Sequence, residues 1–143
     1  MNTSNEILHA YLQVSRHVSE KFRIYYGKLN LTYPQSIVLA ILEADGPMPI
    51  SALAEAAGSA NSTISGVVDR LEKMDLVQRV RSDTDRRVIY VSTTEHFQSH
   101  FAKFKETACD RFSAALSSLS PEDANTVERG LVLLNQALES EDD

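Results

Sequence analysis

Apolar positions along this chain change their spacing several times, and each change marks an element. From Asn5 to Lys28, the residues Ile7, Leu8, Tyr11, Leu12, Val14, Val18, Phe22 and Tyr25 recur mostly three or four apart. That spacing predicts one long amphipathic helix, with an apolar stripe broader than a one-sided surface helix requires. Gly27 and Asn30 mark its fraying end. Thr32, Pro34 and Gln35 supply a capping box with proline in the first turn, ahead of a buried helix carrying Ile37, Val38, Ala40, Ile41 and Leu42. Gly46 closes that helix, and Pro47 and Pro49 forbid its continuation. Met48 to Ile50 is expected as a short strand able to pair beside a hairpin. Ser51 is expected to cap a helix over Ala52–Ala57, with Gly58 as the turn into the next helix.

Ser59 to Thr93 organises the rest of the chain. It opens with Ser59, Asn61, Ser62, Thr63 and Ser65, then takes up helical spacing at Ile64, Val67, Val68, Leu71 and Met74, which predicts a short helix with a polar, capped N-terminus. After Asp75 the period falls from about 3.6 to about 2. Val77, Arg79 and Arg81 lead into Ser82–Arg87, and Val88, Ile89, Tyr90 and Val91 return, as in a two-stranded hairpin with a charged tip. Two short helices joined across Gly58 and followed by such a hairpin have the layout of a winged helix-turn-helix. In that layout the second helix enters a major groove and the hairpin reaches the neighbouring minor groove.

Beyond Thr94 helical spacing resumes at Phe97, Phe101, Phe104, Ala108, Phe112, Ala115 and Leu119. Ser120, Pro121, Glu122 and Asp123 then restart a helix whose seam of Val127, Leu131, Leu134 and Leu138 is nearly a heptad. Glu139 to Asp143 reads as an acidic fray. The expected fold class is mainly α with a small β-hairpin wing. Its parts are a dimerisation helix over 1–30, a DNA-binding winged helix-turn-helix over 31–93 and dimerisation helices over 94–143. The outer helices hold more apolar surface than a small winged domain covers, so a homodimer is expected.

A net charge of −6 argues against a nucleic-acid binder only until it is divided along the chain. Residues 1–119 hold 13 Lys/Arg and 13 Asp/Glu, whereas 120–143 hold one Arg against seven acids. The cations that matter, Arg79, Arg81, Arg86 and Arg87, gather on the hairpin, interleaved with Asp83 and Asp85. With 143 residues, 43% of them apolar, the chain suits one compact domain with dimerisation extensions. The longest apolar run, Ile37 to Leu42, is far short of a membrane span, and the first residues have no signal pattern. A cytoplasmic protein with no membrane association is expected, and the single Cys109 excludes an intramolecular disulfide. There is no nucleophile elbow, phosphate-binding glycine loop or paired-carboxylate motif, so neither catalysis nor a cofactor is expected.

Several short motifs in order carry a resemblance: Ile50, Ser51, Leu53, Ala54 and Gly58; Ser62 to Ser65; Val68 to Glu72; Leu76, Val77 and Arg79; Asp83, Asp85, Arg86 and Arg87. Together they resemble the MarR family of transcriptional regulators. The resemblance implies a triangular homodimer on double-stranded DNA, and a two-fold dimer reads a pseudo-palindrome with half-sites about 10 bp apart. Repression by occupancy is the expected mode. Relatives commonly read Leu-Thr-Glu-Lys-Gly where this chain has Thr93, Thr94, Glu95, His96 and Phe97, a departure that changes the start of the following helix but leaves the DNA-reading residues intact.

The candidate DNA contacts are Ser59, Asn61, Ser62, Thr63, Ser65 and Arg70 on or beside the helix, because hydroxyl and amide groups at a helix N-terminus bond phosphates or base edges. Some of these residues would merely cap, and Arg70 could instead pair with an acid. On the wing, the family's Asp-x-Arg pattern falls on Asp85 and Arg87, which implies that Arg87 enters the minor groove while Asp85 holds it. Arg81 and Arg86 would neutralise phosphates.

Many relatives bind small aromatic effectors between the dimer helices and the winged domain, and Tyr11, His17, Phe22, Tyr25, Tyr26 and Phe101 could line such a crevice here. Their spacing also fits plain core or dimer interface. His96 and His100 stand four apart on a helix, a spacing that two ligands of one zinc ion can use, with His9, His17 or Glu20 as further ligands. No Cys-rich or His-Glu-x-x-His pattern accompanies them, and no metal is assigned. Peroxide-sensing relatives carry a reactive cysteine near the N-terminus, where this chain has none, so Cys109 is read as a buried, inert thiol. The alternative functions are a zinc-responsive regulator and a winged-helix protein-interaction module without DNA binding.

Overall fold

The computed structural model describes residues 3–101 and 107–141, which form two units, Met1–Cys109 and Asp110–Asp143. In the first, α1 (Thr3–Tyr25) runs through a 3-10 turn (Gly27–Leu29) into α2 (Tyr33–Asp45), α3 (Ile50–Ala57) and α4 (Asn61–Lys73). A hairpin of β1 (Val77–Arg81) and β2 (Ile89–Thr93) follows, then α5 (Glu95–Phe101). The first two residues of α6 (Ala108–Leu116) close this unit, and the rest of α6 with α7 (Pro121–Glu141) makes up the second. The fold is mainly helical with one antiparallel two-stranded wing, in line with the expected class.

The core explains why these elements form where they do. Val38, Leu39 and Leu42 of α2, Leu53 of α3, Ile64, Val68 and Leu71 of α4, Leu76, Val77, Val91 and Phe97 are all buried in one cluster. Full burial of such side chains stabilises by roughly 1.5–3 kcal/mol each. Leu39, absent from the predicted apolar set of α2, is completely enclosed, while Ile37 and Ile41 are half-buried. Met74, placed in the apolar spacing of α4, is the C-cap residue and is exposed rather than core.

Local punctuation follows the sequence at some ends and departs from it at others. Thr32 builds the full capping box: its backbone N–H donates to Gln35 Oε1 at 3.0 Å and its Oγ1 accepts from the Gln35 N–H at 3.3 Å. Gly58, at φ +66°, is the left-handed residue that ends α3 and turns the chain into α4. Ser51 is not a cap, because α3 begins a residue earlier, at Ile50, with Pro49 in the extended cap position. The strand expected at Met48–Ile50 therefore shrinks to one antiparallel bridge, with the Met48 N–H donating to Val91 O at 3.1 Å and the Val91 N–H to Met48 O at 2.8 Å. Helix α1 ends at Tyr25 rather than Lys28. Helix α4 also lacks the expected side-chain cap, since Ala60 occupies that position.

Among the described residues of the long terminal elements, α1 buries only Tyr25 and α7 buries nothing. Ile7, Leu8, Tyr11, Leu12 and Val14 are exposed on α1, as are Val127, Leu131, Val132, Leu133 and Leu138 on α7. Phe104 of the predicted C-terminal face lies outside the described residues.

One side chain ties the turn after α4 to the wing's exit without any signal in the apolar pattern. Buried Thr94 donates its Oγ1 hydrogen to Asp75 O at 2.6 Å and accepts from the Phe97 N–H at 3.1 Å, so it both caps α5 and satisfies the α4–β1 turn. Thr94→Val keeps the volume but orphans both groups. It is expected to cost about 1–3 kcal/mol in urea unfolding, with the denaturant slope unchanged.

Candidate nucleic-acid interface

The inward face of α4 fixes what its outward face offers. Ile64, Val68 and Leu71 pack into the core shared with α2 and α3, so Ser59, Asn61, Ser62, Thr63 and Arg70 are left exposed and Ser65 half-buried. Because Ala60 cannot cap, none of the small polar side chains beside it makes an N-cap bond to the helix's first N–H groups. These first-turn N–H groups have no intrahelical acceptor and lie at the positive end of the helix dipole. Hydroxyls, an amide and backbone donors thus share one exposed helix end, an arrangement suited to phosphate oxygens and base edges.

The wing is a regular hairpin up to its tip. Val77 pairs with Thr93, Arg79 with Val91 and Arg81 with Ile89. Ser82 then organises the turn, its Oγ accepting from the Thr84 N–H at 3.3 Å and the Asp85 N–H at 3.2 Å, while its own N–H donates to Val88 O at 2.9 Å. This hub was not singled out from the sequence, although serine opening a polar turn is its signal. Arg81 reaches across the turn and donates to the Arg86 carbonyl, so its guanidinium braces the tip rather than pointing free.

Asp85 and Arg87 form the best-defined pair on the wing. Asp85 Oδ1 accepts from both the backbone N–H and the Nε of Arg87 at 3.1 Å, and Oδ2 accepts from Nη2 at 3.3 Å. The aspartate thereby fixes the arginine's main chain and its guanidinium fork together. Arg87 nevertheless remains 91% exposed, a presented cation. Its hydrogen bonds, side chain first and backbone second, hold the Asp85 carboxyl below its ordinary range. Arg86 is exposed beside it.

Arg79 differs from the other wing cations. Its guanidinium turns back onto α4, with Nη2 2.8 Å from Asp69 Oδ1 and Nη1 2.6 Å from Glu72 Oε1, which removes it from the group expected to face solvent. Two acids one turn apart on a helix, followed by an arginine on the next strand, were the legible sign of this tie.

The aromatic candidates do not gather as one set. Tyr25, Tyr26 and Phe101 meet in the core with Phe97, the Tyr25 and Phe101 rings stacked at 5.6 Å and the Phe97 and Phe101 centroids 4.9 Å apart. The Tyr26 hydroxyl donates to Glu43 Oε1; burial, and then that carboxylate, drive its pKa far above the usual phenol value, so it stays neutral. Phe22 is half-buried and packs edge-on against Tyr33, while Tyr11 and His17 are exposed along α1. His96 and His100 are exposed too, and among the described residues no three His, Cys, Asp or Glu converge as metal ligands would. Half-buried Cys109 packs against the core, its thiol 3.6 Å from the Ala40 carbonyl.

A two-helix turn closed by a left-handed glycine, followed by a hairpin, defines a winged helix-turn-helix protein. The pattern of the MarR family matches residues 31–89, from the turn before α2 to the start of β2. The transcriptional regulator YfiV of Bacillus subtilis, itself uncharacterised, is 37% identical over 79% of this chain and 71% of its own length. The regulator MgrA of Staphylococcus aureus is 31% identical over 86% of this chain and 80% of its own. The chain belongs to the MarR family of winged helix-turn-helix transcriptional regulators. Its fold is shared with reduced AbfR bound to DNA, at a TM-score of 0.67 and 21% identity, covering 95% of this chain and 94% of that one.

The Asp85–Arg87 pair makes a pH prediction with a definite sign. Arg87 favours the charged carboxylate, so the clasp is fully formed above the ordinary aspartate range and is lost as pH falls through the depressed value. Carboxyl NMR titration is expected to give Asp85 a midpoint under the usual value of about 3.9, and Arg87→Ala, which keeps the backbone N–H bond, is expected to raise it part of the way back.

Proposed function

We propose that this protein is a sequence-specific DNA-binding repressor acting as a homodimer on a pseudo-palindromic operator. The observation that carries the reading is an exposed arginine, Arg87, clasped by Asp85 at the tip of a hairpin that follows an outward-facing polar helix end. An arginine held in a fixed direction on a narrow projection suits the minor groove, where the potential is most negative. Ser62, Thr63, Ser65 and Asn61 on α4 face the major groove in this reading, with Ser59 and Arg70 on flanking phosphates. Arg86 neutralises a backbone phosphate, while Arg81 supports the tip that carries both. AbfR, which shares the fold, is bound to DNA in its solved structure. That likeness carries the architecture, and the local chemistry of α4 and the wing carries the ligand.

Dimerisation rests on apolar surface. Exposed Ile7, Leu8, Tyr11 and Leu12 on α1, and Leu131, Leu133 and Leu138 on α7, form faces that a second copy of the chain would cover. Residues 1–30 and 94–143 then serve as dimerisation segments around a DNA-binding domain over 31–93. Repression follows from occupancy of a promoter. A small effector would act by favouring a wing spacing that no longer fits successive grooves, but not through one crevice lined by all six aromatic candidates, because Tyr25, Tyr26 and Phe101 are enclosed in the core.

The test compares two arginines by fluorescence anisotropy on a duplex enriched from a random pool. Arg87→Ala is expected to weaken binding by roughly 1–3 kcal/mol and to reduce the salt slope by about one. Arg129→Ala, on α7, is expected to leave both within error. Equal losses for the two variants remove the wing from the mechanism.

A further inference from the structure

We infer that Arg79 is a positioning residue, which sets the wing against the recognition helix by clasping Asp69 and Glu72 and so aims Arg87; this rests on the proposed minor-groove role of the wing. Asp69 and Glu72 stand three apart on the C-terminal half of α4, where their mutual repulsion and the negative end of the helix dipole both act against them. The Arg79 guanidinium spans the two carboxylates with one nitrogen on each, at 2.8 and 2.6 Å. Its backbone lies opposite buried Val91, which also carries the bridge to Met48, so the strand end of the clasp is anchored in the core. Beyond this point the hairpin projects through Arg81 to a tip braced by its own hydrogen bonds. The tip is therefore internally held, and the angle at which it leaves α4 depends on the base of the wing. The clasp lies there, only 27% of the Arg79 side chain being exposed.

Partly exposed ion pairs add little to stability, whereas a forked guanidinium holds direction well. The clasp is therefore expected to matter more for DNA recognition than for folding. A phosphate contact by Arg79 makes the opposite forecast on removal of the acids, since two fewer negative charges near DNA would leave or improve its contribution.

The test measures the factor by which Arg87→Ala weakens operator binding in three backgrounds: the unaltered protein, Arg79→Met, and Asp69→Asn with Glu72→Gln. The positioning role predicts a loss of roughly tenfold or more in the unaltered protein. It predicts a factor close to one in both altered backgrounds, because an arginine that is not aimed has little left to lose. Arg79→Lys, which keeps the charge without the fork, is expected to restore only part of the factor. Melting temperatures of the two altered backgrounds should stay near that of the unaltered protein. An undiminished Arg87 factor in either altered background overturns the positioning role and leaves the DNA reading standing. An Arg87→Ala variant that binds as well as the unaltered protein overturns the minor-groove reading, and the positioning role with it.

Discussion

The burial of one face of α4 is the constraint on which the site depends. Ile64, Val68 and Leu71 are enclosed by α2 and α3, and this fixes both the depth of the helix and its rotation about its own axis. A helix locked in rotation has no choice about what it shows outward, here Asn61, Ser62, Thr63 and Arg70. The same core continues through Leu76, Val77 and Val91 into the hairpin, so the wing is seated on the packing that orients the helix. Polar reading groups are thus positioned by apolar contacts beneath them, and no polar network needs to be assembled at the surface.

The wing solves a different problem, since its tip lies beyond the core and must be stiffened locally. Ser82 ties the turn through two backbone N–H groups, Arg81 braces it from the strand, and Asp85 clasps Arg87 through main chain and side chain alike. Most of these bonds are exposed and individually weak, so their value is directional more than energetic. A projecting arginine with a fixed bearing loses less conformational entropy on binding than a free one. At the base, the hairpin is held by the Met48–Val91 bridge, by Thr94 and by the clasp of Arg79 on α4.

Elements governed by periodicity were legible in the sequence; details governed by tertiary partners were not. The change of spacing at Asp75 announced the hairpin, and Gly58 announced the turn between α3 and α4, because a left-handed backbone favours glycine. Ser51 was misleading: a serine before a helix caps it only when the backbone there is extended, and Pro49 takes that conformation first. The polar run from Ser59 to Ser65 looked self-capping, yet α4 starts after Ala60 and leaves those side chains to the surface. Arg79 read as one more wing cation: the two acids one turn apart on the preceding helix hinted at a partner, but not which arginine of the hairpin folds back onto them. The aromatic set split for a similar reason: Tyr25, Tyr26 and Phe101 are core, whereas Tyr11 and His17 lie along an exposed helix.

The central claim is that the outward face of α4 and the wing together read a DNA sequence. Selection of duplexes from a random pool by the purified protein, followed by binding to the enriched sequence at two salt concentrations, tests it most directly. The account predicts a roughly two-fold symmetric site with half-sites about one helical turn apart, and an affinity that falls steeply as salt rises. A pool that stays random, with only weak and sequence-blind binding, contradicts it and leaves a winged helix that docks on proteins instead.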